Sequence, residues 1–179
     1  MRLTWQQIPS TVVSEILCIN SEGVVLDTEH GCFNNETLFS CIQVIRQNQK
    51  KCLVRLTEVN KEKIRYCLDA GADGLIFSTI ETDEQCRKII EFSCFSPKGK
   101  RGLGLVRQNQ WGATGKLLCD DPILIPQIET KKSIDNLENI KSYNFDYFLI
   151  GPYDLSLSLG SPGDFSNKNF HSKICQYND

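Results

Sequence analysis

Short apolar runs alternate with helix-period stripes along most of this chain, and that alternation leaves few folds open. GVVL, CLVRL, GLIF, ILIPQI and YFLI are nearly continuous in apolar residues. Strands read this way when helices cover both faces of a parallel sheet. Helical spacing lies between the runs: Leu38, Cys41, Ile42 and Ile45 fall at i, i+3, i+4 and i+7. Strands alternating with helices imply parallel pairing with right-handed crossovers.

The expected strands are 3–8, 23–26, 52–56, 74–77, 123–129 and 147–150. Pro126 removes one ladder donor and predicts a bulge or distortion in the fifth. Helix signals fill the gaps. A short helix runs from Val12 to Ile19, Asn34 or Asn35 caps a second, and Asn60 caps a third that Gly71 stops. Thr82 and Gln85 form a capping box, Thr130 caps a helix carrying Ile134 and Leu137, and Asp154 to Leu159 form a last short helix ended by Gly160. The stretch from Ser96 to Asp121 reads as loop with room for a short helix. A closed (β/α)8 barrel needs eight strands and about 250 residues; six strands are visible in 179 residues.

Charged residues sit at the downstream ends of these runs, where parallel barrels collect their chemistry. Asp27, Glu29 and His30 follow GVVL, Arg55 ends CLVR, Glu129 closes ILIPQIE and Asp154 follows FLIGPY. A base candidate, a cation and two hard-oxygen carboxylates suit a metal-assisted site for a small anionic carbonyl compound. Each has a plainer alternative. Glu129 and Asp154 could simply cap the helices that follow. Arg55 could be an internal ion pair, and His30 a surface residue. His171 reads as incidental.

At 179 residues the chain suits one domain with a real core. We expect that domain over 1–165, with a polar C-terminal tail over 166–179. The net charge of −2 and the scattered lysines and arginines point away from nucleic acid and anionic membranes. No run is long enough to span a bilayer, and MRLTWQQIPS lacks the apolar stretch of a secretory signal. The nine cysteines, from Cys18 to Cys175, are odd in number and show no CxxC spacing. They fit reduced thiols in a cytoplasmic protein better than disulfides or zinc ligands. In SPKGKRGLG the glycines lack phosphate-loop spacing. Arg101 in that segment is read as structural or as shaping the pocket mouth, and Trp111 with Gly112 as a loop over the site or as local packing.

At LDTEHG, VRL, AGADGLIF, PKGKRGLG, QIET and GPYDLSLSLG, in that order, the chain resembles the HpcH/HpaI aldolase/citrate lyase family. The likeness runs from about Thr4 to Phe165. It implies an α/β fold of the TIM (β/α)8 type, here truncated after about six βα units. It also implies a metal-dependent aldolase that uses pyruvate or a similar 2-oxo acid with an aldehyde. By position, Glu129 and Asp154 resemble the metal ligands, for magnesium, manganese or cobalt. Arg55 resembles the residue holding the keto-acid oxygen, His30 the acid/base, and Asp27 its carboxylate partner. Gln127, Tyr153 and Asp154 would line the substrate site. A homo-oligomer is expected. Two rivals are a citramalyl- or malyl-thioester lyase and a non-catalytic remnant acting only through oligomerisation.

Overall fold

A computed structural model describes residues 1–168, 170–172 and 174. Among them, six strands form one sheet in the order β1 (Leu3–Gln6), β2 (Gly23–Asp27), β3 (Lys51–Leu56), β4 (Gly74–Phe77), β5 (Ile123–Ile128), β6 (Leu149–Ile150). Every pairing is parallel and joins strands consecutive in sequence. Helices α1 (Thr11–Ile19), α2 (Asn35–Gln47), α3 (Lys61–Asp69), α4 (Asp83–Ser93), α5 (Lys131–Asp135), α6 (Leu137–Lys141) and α7 (Pro152–Ser158) complete the units. The result is the open arc of a (β/α)8-type barrel. Among the described residues, β1 and β6 each pair on one side only.

Strand side chains alternate between faces, and the arc sorts them accordingly. Val24, Leu26, Val54, Leu75 and Phe77 join the main core beneath the helices, with Leu38, Ile42, Ile45, Ile64 and Ile89. The alternate residues Val25, Leu53, Ile76 and Ile125 form a smaller cluster, with Leu3, Ile123 and Leu149 against it. Two residues further along the same inward columns come Asp27, Arg55, Ser78 and Gln127. The polar end of the inner layer therefore lies where the strands finish.

Local signals set the helix ends. Asn34 accepts from Thr37 N–H at 2.8 Å and so caps α2. Asn60 accepts from Glu62 and Lys63 N–H, both at 3.0 Å, and caps α3. Gly71 follows α3 with φ +100°, a turn glycine makes at little cost. Three expectations are revised. No bulge marks Pro126, which is in register with Phe77, while pairing to β6 begins at Gln127. Its missing N–H thus falls at the changeover between partners. The helix after Thr130 breaks at Asn136 into α5 and α6. Only Leu149–Ile150 of the sixth run pairs.

Eight cysteines are free, six of them buried, with Cys32 exposed; Cys175 lies outside the described residues. On α1, Val12, Ile16 and Ile19 are exposed, as is Ile8 before it. Within 166–179, Phe170 is buried in the main core and Ile174 packs against it. No helix among the described residues is long and apolar enough to cross a membrane.

Candidate active site at the strand ends

Asp27 and Arg55 are register partners on β2 and β3. Arg55 Nε donates to Asp27 Oδ1 at 2.9 Å and Nη2 to Oδ2 at 2.6 Å, a bidentate pair. Trp5 Nε1 and Gln7 Nε2 each donate to Oδ2 at 3.1 Å. The Glu29 and His30 backbone N–H groups donate to Oδ1 at 3.0 and 3.2 Å. Burial alone would raise the Asp27 pKa, but the hydrogen bonds from Arg55, Gln7, Trp5 and the His30 amide prevail and hold it well below the usual carboxylate range. The guanidinium also faces Glu29 Oε2 at 3.0 Å and lies 5.0 Å from the Trp5 ring centre. Burial lowers the Arg55 pKa; the hydrogen bond and charge of Asp27, then Glu29 and Glu129, more than offset that and raise it.

A second cluster forms across β4, β5 and β6. Glu129, 3% exposed, accepts at Oε1 from Thr79 N–H at 2.5 Å and from Thr79 Oγ1 at 2.6 Å. Its Oε2 accepts from Gln127 Nε2. Gln127 Oε1 is buried and has no partner. Gly151, just after β6, lies against both side chains: a Cβ there would sit 2.6 Å from Glu129 Oε2 and 2.9 Å from Gln127 Nε2. Ser78 Oγ donates to Glu29 Oε2 at 2.6 Å. The consecutive residues Ser78 and Thr79 therefore touch both clusters.

Asp27, Arg55, Gln127 and Glu129 are thus brought together inside the arc. His30, Tyr153 and Asp154 are exposed at its rim. Asp27 contacts the His30 backbone amide, and its carboxylate is taken up by Arg55 rather than by the imidazole. Asp154 stands in the first turn of α7, three residues after Gly151. Tyr153 packs edge-on against Phe165, with ring centres 5.1 Å apart. Trp5, Gln7, Ser78 and Thr79 line the candidate site and were not among the expected site residues; Glu29, named with the strand-end charges, joins them. Inward alternation reveals Trp5, Gln7 and Ser78, but nothing in the local sequence marks Thr79.

Arg101 and Trp111 lie at the other end of the arc. Arg101 Nη2 donates to Asp69, at the end of α3, at 2.8 Å and to Gln108 at 2.6 Å. Trp111 lines a 540 Å3 cleft with Lys51, Asp73 and Ile123, where strands begin. The reason is connectivity: a segment between a helix and the next strand must return to the strand's start.

The donor set fits a hard divalent cation. Glu129 is an oriented carboxylate, and the unpartnered Gln127 Oε1 is a neutral oxygen beside it; Asp154 stands exposed in the first turn of α7. Among the described residues, no three of His, Cys, Asp and Glu are gathered for metal binding. Two carboxylates, with the remaining positions left to water and substrate, are ordinary for magnesium.

A barrel arc with buried charge gathered at the mouth of its strands is the layout of TIM-barrel proteins. The chain belongs to the HpcH/HpaI aldolase/citrate lyase family, whose profile matches residues 9–176. It is 30% identical over 179 residues to a 2-keto-3-deoxy-L-rhamnonate aldolase of Klebsiella pneumoniae subsp. pneumoniae, covering 96% of this chain and 67% of that protein. It is 30% identical over 165 residues to the protein of that name from Escherichia coli K12, covering 88% of this chain and 62% of that protein. Among solved structures, an HpcH/Hpal aldolase/citrate lyase family protein from Burkholderia cenocepacia J2315 superposes with a TM-score of 0.90 at 26% identity. That match covers 97% of this chain and 72% of the other. The chain thus spans about two thirds of the length of these relatives.

Proposed function

We propose that this chain acts as a metal-dependent aldolase, cleaving or forming a 4-hydroxy-2-oxo acid from pyruvate, or a similar 2-oxo acid, and an aldehyde. The single observation that carries the reading is the convergence of Asp27, Arg55, Gln127 and Glu129 at the inner strand ends. The names of the curated relatives support it.

Glu129 and Asp154 would hold the cation, magnesium, manganese or cobalt. When bound, it supplies Lewis-acid stabilisation of charge on the 2-oxo group. In the cleavage direction, His30 takes the proton of the 4-hydroxyl. The C3–C4 bond then breaks, the aldehyde leaves, and its electron pair passes into the 2-oxo acid fragment as an enolate. Arg55 would donate to the oxygen carrying that charge, since Nη1 and Nη2 each keep a second N–H beyond the carboxylates they face. Asp27 and Trp5 keep the guanidinium from swinging. A proton returned to C3 gives the 2-oxo acid product. Tyr153 at the rim would flank the substrate. We further place the protein in the cytoplasm, consistent with its free thiols, and as a homo-oligomer, which the exposed apolar row of α1 favours.

The direct test is pyruvate release from a 4-hydroxy-2-oxo acid in the presence of added magnesium or manganese. Turnover that depends on the metal is expected. A folded, metal-supplied sample that releases no pyruvate from any such substrate would overturn the reading.

A further inference from the structure

The end of β4 carries no charged residue, yet it touches both halves of the site. We infer that Thr79 is the positioning residue that fixes the Glu129 carboxylate; this rests on the reading of Glu129 as a metal ligand. Ser78 N–H continues the ladder to Leu56 O on β3 at 3.0 Å, whereas Ile80 N–H turns to Gln127 O on β5 at 3.2 Å. Thr79 makes the switch between them with φ +52°. A β-branched residue in this left-handed region is an outlier, held only when its surroundings over-determine it.

What holds it is Glu129. The turn aims the Thr79 N–H and hydroxyl at the same oxygen, Oε1, while Gln127 restrains the other. Gly151, with no Cβ, leaves the carboxylate the space it occupies beside β6, since a Cβ there would lie 2.6 Å from Oε2. The rotamer and both oxygen directions are therefore set before any cation arrives. Pre-orientation of a ligand by its hydrogen-bond partners commonly changes metal affinity by about 10- to 100-fold. Thr79 need not touch substrate or metal to have this effect.

Thr79→Val keeps the branched shape and removes the hydroxyl, whereas Thr79→Ser keeps the hydroxyl. The readouts are the Mn2+ dissociation constant, measured by electron paramagnetic resonance on the metal alone, and the melting temperature without metal. Thr79→Val should weaken Mn2+ binding by about 10-fold or more, and Thr79→Ser should bind within about twofold of the parent. A folded Thr79→Val protein with the parent's Mn2+ affinity would overturn the inference. So would a Thr79→Val protein with a lower melting temperature and unchanged affinity, since that marks a purely structural role. Glu129→Gln separates the two levels. If Glu129→Gln loses Mn2+ and Thr79→Val does not, only the positioning role falls. If the parent or Glu129→Gln gives no sign that Glu129 binds Mn2+, the metal reading falls and the inference with it.

Discussion

Arg55 and Asp27 are locked face to face across adjacent strands, with both carboxylate oxygens engaged by one guanidinium at 2.9 and 2.6 Å. Asp27 is fully buried and Arg55 nearly so. Removing Asp27 leaves the buried guanidinium with only Glu29 ion-paired to it, a loss of its bidentate partner. Asp27→Asn should therefore cost about 3 kcal/mol at neutral pH, measured by urea unfolding. The pH dependence has a definite sign. The folded-state pKa of Asp27 lies below its ordinary value of 3.8, so its contribution is complete above about pH 5 and is lost as the pH falls further. The gap between parent and variant should narrow in acid; a constant gap would contradict this account.

His30 and Glu129 should separate cleanly in their effects. His30 is exposed at the rim and Glu129 is held among donors. His30→Ala should lower turnover about 100-fold or more with Mn2+ affinity unchanged. Glu129→Ala should abolish Mn2+ binding. Steady-state kinetics with direct metal titration decides, and equal, small effects from both would refute the assigned roles.

Gly151→Ala tests how tightly β6 seats Glu129. The added methyl would meet Glu129 Oε2 at 2.6 Å and Glu129 Cβ at 2.7 Å. Overpacking of this kind costs about 1–3 kcal/mol, and here the strain falls on a proposed ligand. Thermal stability and metal affinity should drop together. An unchanged affinity would mean that the loop after β6 yields easily.

Among the described thiols, Cys32 should react fastest. It is exposed, whereas Cys18, Cys41, Cys52, Cys67, Cys86 and Cys94 are buried. Burial pushes the Cys67 and Cys86 thiols up to about 12, which leaves almost no thiolate at neutral pH. In native protein a colorimetric disulfide reagent should lose one fast equivalent on Cys32→Ser. Rapid labelling of Cys52, Cys67 or Cys86 in that variant, located by peptide mass mapping, would show that the core opens readily.

Much of this site was legible because strand periodicity is rigid. Once β2, β3 and β5 are placed, alternation alone sends Asp27, Arg55, Gln127 and Glu129 inward. Thr79 was not legible, because its role depends on a backbone turn rather than on charge. Glu29 follows the second apolar run in sequence, and the loop after β2 brings it onto Arg55. For Arg101 and Trp111 the residue types left open a place at the mouth of the site or a structural, packing role, and the structure gives the latter. Their place between α4 and β5 decides which end they occupy, and that information lies in order along the chain rather than in residue type.

The outward flank of α1 has a consequence for handling. Val12, Ile16 and Ile19 present to water a ridge that elsewhere in this molecule would be interior. Dilute solutions should stay dispersed, while concentrated ones should cluster, sooner in sulfate, which strengthens apolar contact, and later in urea, which weakens it. A lysine at position 16 should disperse such clusters, and with them any oligomer joined through α1.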